Sequence, residues 1–194
     1  MSTGVAARQD KREFDNSRIK RKPMSLESYL ALPESKPKIE WSNGEALIMP
    51  PARPKHGRLQ VLISALLLKS LNDCTVVSES GLSTATSRRV PDIMVLEKLP
   101  PDDENWISDP PIIAVEIISP STRTQDMIHK SNEYANAGVR QYWIVDPYFR
   151  EINIMTNDGG IWKNPIELTD ENPIADIKVG DHGTVHINLT ELLD

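Results

Sequence analysis

The stretch of residues 110–147 constrains the fold more than any other part of this sequence. It begins with a run, 112–118, that is rich in β-branched residues and apolar except for Glu116. Such a run is typical of a strand that is buried on both faces of a sheet. A helix should follow, and then a second apolar strand at 142–145. The order strand, helix, strand at this length predicts a βαβ unit with a right-handed crossover.

The helix of this unit carries a lysine on its predicted inward face. Thr122 and Gln125 have the spacing of a capping box, and Gly138 is a natural end for the helix. Regular α-helical rotation puts Gln125, Asp126, His129, Asn132 and Glu133 on the polar face, and Met127, Ile128, Lys130, Tyr134, Ala135 and Ala137 on the apolar face.

A buried lysine needs a partner, because an unpaired buried charge costs several kcal/mol. Glu116 is a carboxylate in the strand that directly precedes this helix, and a right-handed crossover lays the helix back over the sheet. We therefore expect the Lys130 ammonium within a few ångströms of the Glu116 carboxylate. The alternative is a snorkelling lysine that covers the edge of the helix and keeps its charge in water.

Asp92 is the third candidate for a shared polar site. It follows Pro91 at the mouth of another apolar strand. Two carboxylates about one strand spacing apart suit Mg²⁺, which prefers oxygen ligands and keeps several waters. Repulsion between Asp92 and Glu116 would disfavour their approach without a cation. With Lys130 to orient or deprotonate water, the three residues are a set that fits metal-assisted phosphodiester hydrolysis.

The remaining sequence predicts one α/β domain. It begins with a helix at 26–32 after Ser25, a hairpin around Asn43-Gly44 and an amphipathic helix at 55–71. The predicted core strands lie near 75–87, 91–96, 112–118 and 141–146. They are followed by a hairpin around 157–160, short C-terminal strands and a helical turn at 189–193. We expect residues 25–194 to form a single domain and residues 1–24 a flexible basic tail, because 8–22 contain seven Lys/Arg against three Asp/Glu.

Composition bounds the function. The net charge of −6 argues mildly against broad non-specific binding to nucleic acid. No apolar run is long enough for a membrane span, and the N-terminus lacks the apolar region of a secretory signal. Cys74 is the only cysteine, so no disulfide partner exists within the chain. The cytoplasm is the expected compartment.

At these residues the chain resembles a known family. Pro91-Asp92, Glu116, Lys130 and the string GVRQYWIVDP at 138–147 are similar to the bacterial family of putative restriction endonucleases, within the PD-(D/E)XK nuclease superfamily. The resemblance covers roughly residues 25–190. It implies a restriction endonuclease-like fold: a mixed four-stranded core sheet flanked by helices, with extra β-hairpins at both ends.

The resemblance also implies a function: a Mg²⁺-dependent endonuclease, with Mn²⁺ as an alternative ion and DNA as the substrate. Asp92 and Glu116 would hold the metal, and Lys130 would activate water from the helix. The superfamily usually has its lysine two residues after the Glu, where this chain has Ile118. A homodimer is expected by the same analogy.

Two further residues are candidates for the site. By the resemblance, Glu40 would be an extra acid near the metal; otherwise it is a carboxylate on a surface strand. His56 stands in the first turn of a helix, where it would contact a substrate phosphate or serve only as a helix-start residue. The rival function is a catalytically inactive nuclease-fold oligomer that acts as a binding or regulatory module, favoured by the acidic charge and by Ile118.

Overall fold

The structure is a computed structural model that describes residues 18–33, 37–101, 103–120 and 122–194. Within these residues the chain forms an α/β fold with a six-stranded sheet, a five-stranded sheet and a two-stranded sheet. The strands are β1 (Lys20–Pro23), β2 (Ile39–Ser42), β3 (Glu45–Ile48), β4 (Thr75–Ser78), β5 (Leu82–Ser83), β6 (Ser87–Arg89), β7 (Ile93–Leu96), β8 (Ile113–Ile117), β9 (Gln141–Asp146), β10 (Glu151–Asp158), β11 (Ile161–Leu168), β12 (Ile174–Val179) and β13 (Gly183–Asn188). The helices are α1 (Leu26–Leu30), α2 (Pro54–Ser70), α3 (Ser131–Ala137) and α4 (Leu189–Leu193), and a π-helical segment spans Gln125–Lys130.

The six-stranded sheet is the centre of the fold, with the strand order β11-β10-β9-β8-β7-β4. Only β8 and β9 are parallel within it, joined by the π-helical segment and α3, so the predicted βαβ unit is confirmed. The four predicted core strands correspond to β4, β7, β8 and β9. The predicted hairpin at 157–160 adds β10 and β11 to the edge of the same sheet, because β10 pairs with β9.

Both faces of this sheet are covered, as the apolar character of its central strands requires. Ile93 and Val95 of β7 point to the face covered by α2 and the β12–β13 pair. Met94 and Leu96, the alternate residues, point to the face where Tyr134 of α3 packs. Alternate residues of β7 therefore enter two separate apolar clusters.

The helix after β8 differs from the prediction in its first half. It is π-helical from Gln125 to Lys130, and a π turn contains more residues than an α turn. Asp126 is buried in this segment, whereas Met127 and Ile128 are exposed. The predicted polar and apolar faces are therefore wrong at these positions and at Gln125, which is buried. Lys130 is buried as predicted, and α3 ends at Gly138.

The five-stranded sheet, β1-β3-β2-β6-β5, is built on the predicted Asn43-Gly44 hairpin. Asn43 and Gly44 have φ values of 49° and 89°, as a tight hairpin turn requires. The strand β1 pairs along β3, so residues 20–23 are not part of a free tail. Of the predicted tail, residues 1–17 lie outside the described residues. The predicted strand region 75–87 is split, because β4 joins the central sheet while β5 and β6 join this one.

The predicted helices at 26–32, 55–71 and 189–193 are confirmed as α1, α2 and α4. The Ser25 side chain caps α1 by accepting a hydrogen bond from the Ser28 N–H. Among the described residues, no helix has the length and apolar character needed to cross a membrane.

Candidate active site

Asp92 and Glu116 lie opposite each other on neighbouring strands. The strands β7 and β8 are antiparallel with Ile93 opposite Val115, and the same register continued by one residue places Asp92 opposite Glu116. Residues that are directly opposite point to the same side of a sheet. Both carboxylates are buried, and Asp92 Oδ2 accepts a hydrogen bond of 2.7 Å from the Ile117 N–H.

The Lys130 ammonium contacts three carboxylates. Its Nζ lies 2.9 Å from Glu116 Oε1, 3.2 Å from Glu40 Oε1 and 3.2 Å from Asp126 Oδ1. The Lys130 side chain is buried, so the predicted contact with Glu116 is confirmed and the snorkelling alternative is wrong. The Tyr134 hydroxyl donates a second hydrogen bond to Glu116 Oε1, at 2.8 Å.

Burial and neighbouring charges shift the pKa values of Glu116, Asp126 and Lys130. Burial raises the pKa of Glu116 to about 8; Lys130 opposes the shift, and the Asp126 and Asp92 carboxylates add to it. Burial also raises the pKa of Asp126. Burial acts to lower the pKa of Lys130, but Glu116, Glu40 and Asp126 hold it well above its ordinary value. Lys130 is therefore an ammonium, whereas burial disfavours the charged forms of Glu116 and Asp126 even beside this cation.

Glu40 connects the five-stranded sheet to this cluster. It is buried, which excludes a surface carboxylate, and besides Lys130 its partners are the Val90 N–H at 3.1 Å and the Arg89 guanidinium at 3.1 Å. Burial acts to raise the pKa of Glu40, but Lys130 and Arg89 lower it to about 2. Arg89 also donates two hydrogen bonds, of 2.7 and 2.6 Å, to the Glu133 carboxylate. Glu40 is thus held ionised between two cations.

His56 and Lys38 both contact the Asp92 carboxylate. His56 Nε2 lies 3.2 Å from Asp92 Oδ1, and Lys38 Nζ lies 3.5 Å from the same oxygen. Burial acts to raise the pKa of Asp92, but Lys38 and His56 hold it well below its ordinary value. Burial acts to lower the pKa of His56, and its contact with Asp92 raises it.

These groups line one cavity of about 860 Å³. Asp92, Glu116, Asp126, Lys130 and His56 are in its wall. Its lining also includes the cationic residues Arg18, Lys38, Arg53 and Lys55. The cavity therefore combines a carboxylate wall, which suits a metal cation, with positive side chains, which suit a phosphate.

The structure brings together the five residues singled out in the sequence: Asp92, Glu116, Lys130, Glu40 and His56 all belong to one contact network. Their catalytic and metal-binding roles stay predictions.

Sequence reasoning missed four members of the same network: Asp126, Arg89, Lys38 and Glu79, whose Oε2 lies 3.4 Å from Lys38 Nζ. Asp126 had a usable signal, since it stands four residues before Lys130, the spacing of an ion pair on one helix face. Arg89 and Lys38 had no such signal, because their partners are distant in the sequence.

Comparison with known proteins identifies the family and the fold of the chain. A family model, Uma2, described as "Putative restriction endonuclease", matches residues 26–177. The fold is similar to the crystal structure of a putative nuclease belonging to DUF820 from Anabaena variabilis ATCC 29413, with a TM-score of 0.74 and 19% sequence identity over 88% of this chain and 98% of that chain. No curated protein gives a significant match to the chain. The predicted restriction endonuclease-like fold and family are both confirmed.

Proposed function

Because the chain belongs to the Uma2 family of putative restriction endonucleases, we propose that it hydrolyses phosphodiester bonds of DNA with a bound divalent metal ion. One observation carries the proposal: the buried ammonium of Lys130 contacts Glu116 at 2.9 Å, and Asp92 lies opposite Glu116 in the wall of the same cavity. Two carboxylates and a cation around one cavity are the groups that metal-assisted phosphodiester hydrolysis uses.

The donor set fits a magnesium ion held by Asp92 and Glu116. Mg²⁺ is commonly bound through one or two carboxylates, with waters and substrate phosphate completing its coordination. The raised pKa of Glu116 means that its charged form is disfavoured without further positive charge. Asp126 Oδ1 is buried and accepts no well-aligned hydrogen bond from the described residues, although Lys130 lies 3.2 Å away. A cation bound at this wall would favour the ionised forms of both carboxylates.

A bound metal ion would lower the pKa of a water molecule and stabilise charge on the phosphate in the transition state. The contribution of Lys130 is set by its raised pKa, which keeps it protonated. A protonated lysine is a hydrogen-bond donor and not a base, so it would orient the attacking water and offset developing negative charge. Glu40 would hold the Lys130 ammonium in place from the other sheet.

Cleavage of supercoiled plasmid with Mg²⁺ or Mn²⁺ tests the proposal. We expect nicking by the wild type that stops in chelator. Asp92→Ala and Lys130→Met should each lower the rate by at least about 100-fold, the typical effect of removing one transition-state donor. The matched control is Asp176→Asn, an exposed carboxylate paired with His186 away from the cavity, which should cleave like the wild type.

The outcomes separate the nuclease from the rival, an inactive binding or regulatory module. Cleavage that survives Asp92→Ala comes from a contaminating nuclease and gives no support. If the wild type binds metal and cuts no DNA or RNA, the inactive module is correct. Calorimetry with each variant supplies the second readout, because Lys130→Met should still bind the metal through Asp92 and Glu116.

The proposal extends to three further properties. We propose that residues 25–194 act as one domain and that the protein works as a homodimer in the cytoplasm. A dimer would let two active sites cut two strands. The exposed edge strand β11, with Ile161 and Ile166 at the surface, is an available surface for pairing.

A further inference from the structure

We propose that His56, Glu79 and Asp92 form a second divalent-metal site, suited to Mn²⁺, and that the Lys38 ammonium occupies it when no metal is bound. The site shares Asp92 with the proposed nuclease centre and rests on that proposal only for its part in cleavage. It lies at the wall of the same cavity.

The three side chains already have the spacing of metal ligands. One ligand atom from each lies within 4.8 Å of the other two, and His56 Nε2 is 3.2 Å from Asp92 Oδ1. An octahedral site with metal–ligand distances of about 2.2 Å places ligand atoms about 3 Å apart when adjacent and about 4.4 Å apart when opposite. Small rotations of the exposed Glu79 side chain are therefore enough to close the site.

Neighbouring groups hold these ligands in place. Gln60, one turn of α2 after His56, donates hydrogen bonds to the Glu79 carboxylate at 3.3 Å and to the Asp92 backbone oxygen at 2.8 Å. The Glu79 N–H also donates to that oxygen, at 3.3 Å. Helix α2 and the end of β4 are thus tied to the mouth of β7, where Asp92 stands.

A cation is already present among the ligands. Lys38 Nζ lies 3.4 Å from Glu79 Oε2 and 3.5 Å from Asp92 Oδ1, so one ammonium is shared by two of the three ligands. This position is where a metal ion would gain the same two carboxylates and the imidazole as well. Lys38 and the metal would therefore compete, and a displaced Lys38 ammonium would stay at the cavity wall, where it can meet a substrate phosphate.

The imidazole decides which ion the site prefers. Mg²⁺ and Ca²⁺ favour oxygen ligands, whereas first-row transition metals accept imidazole nitrogen. A site with one nitrogen and two carboxylates therefore favours a first-row transition metal such as Mn²⁺ over Mg²⁺. The Asp92 and Glu116 pair, which offers only oxygen, has no such preference.

Calorimetric titration with MnCl₂ and with MgCl₂ tests the site on the full chain. We expect the wild type to bind Mn²⁺ at least about tenfold more tightly than Mg²⁺. His56→Ala should lose at least about tenfold in Mn²⁺ affinity and little in Mg²⁺ affinity. Glu79→Gln, at an exposed position, should also weaken Mn²⁺ binding. Lys38→Met should bind Mn²⁺ about tenfold more tightly, since the competing ammonium is gone.

The matched control is His186→Ala, which removes an exposed histidine that is paired with Asp176 and should bind both ions like the wild type. Unchanged Mn²⁺ affinity in both His56→Ala and Glu79→Gln overturns the site, as does weaker binding in Lys38→Met. If that happens while plasmid cleavage proceeds, only this site is wrong and the nuclease stands. If the variants behave as expected and no DNA is cut, the metal site stands and the nuclease is wrong.

Discussion

Replacing Lys130 by methionine is the most informative single change in this protein. Methionine keeps much of the side-chain length and removes the charge, so the variant leaves Glu40, Glu116 and Asp126 buried around an apolar group. Loss of one partner of a buried ion pair exposes the remaining charge to an unfavourable environment. We expect the free energy of unfolding of Lys130→Met in chelator at neutral pH to fall by about 3–5 kcal/mol.

The size of this effect follows from the number of carboxylates that lose their cation. Three carboxylate oxygens lie within 3.2 Å of Lys130 Nζ, and of these three carboxylates Arg89 pairs only with Glu40. Glu116 and Asp126 can relieve the repulsion by binding protons, because burial already raises the pKa of both. The loss should therefore be smaller at low pH than at neutral pH. For a domain whose stability is about 5–15 kcal/mol, a loss of this size is readily measured.

Urea unfolding of a double-mutant cycle measures the coupling. Removing both partners, in Lys130→Met with Glu116→Gln, should cost less than the sum of the two single changes, with a coupling of about 1–3 kcal/mol. The matched control is Lys163→Met, which breaks an exposed ion pair with Asp158 and should cost less than about 1 kcal/mol. A Lys130→Met protein as stable as the control, or strictly additive changes, would refute the argument that the buried charges depend on one another.

Three further predictions test the electrostatics, the packing and the assembly. Because the pKa of Glu116 rises from 4.5 to about 8 on folding, the folded protein binds a proton that the unfolded chain has lost between these two pH values, and stability should fall as pH rises through this range. Urea unfolding of Glu116→Gln without metal should lack that decline. Gly183→Ala should destabilise the protein by at least about 1 kcal/mol in thermal unfolding, because residue 183 has a φ of 136° and its new Cβ would stand 2.7 Å from the Ser70 carbonyl oxygen. The control Gly57→Ala in α2 places its Cβ where no atom lies within 4 Å, and it should be neutral or stabilising. Light scattering should give twice the 21.8 kDa chain mass, and a strict monomer at high concentration would exclude the homodimer.

The sequence predicted those parts of the fold that local pattern determines. The Asn43-Gly44 turn, the amphipathic pattern of α2 and the apolar runs of β7, β8 and β9 each depend on residues close together in the chain. The arrangement of strands between sheets did not follow from such patterns. The sequence predicts strand segments within residues 75–87, broken at Gly81, as part of the core sheet. In the structure β4 pairs with β7 while β6 pairs with β2 in the other sheet, and these pairings depend on contacts between distant residues.

The site was predictable where chemistry left few alternatives. A carboxylate inside a buried strand and a lysine on the helix after it must find partners, so Glu116 and Lys130 could be paired from the sequence alone. Lys38 and Arg89 could not be found in this way, because each stands at the end of an unremarkable strand. Their importance appears only when the five-stranded sheet places Glu40 and Lys38 against the central sheet.

The π-helical segment explains why the α-helical pattern predicts the burial of Lys130 correctly but misplaces several neighbouring residues. An α-helix with Lys130 inward would place both Asp126, one turn before it, and Met127 near the inner face, whereas in the π-helical segment Asp126 and Lys130 are buried together and Met127 is exposed. The exposed methionine loses part of its hydrophobic stabilisation, and the buried Asp126 carries the cost of desolvation. Lys130, which already contacts Glu116 and Glu40, offsets that cost by pairing with the Asp126 carboxylate at 3.2 Å. The irregular helix is thus compatible with folding because the lysine is shared, and it adds a carboxylate to the wall where the metal is proposed to bind.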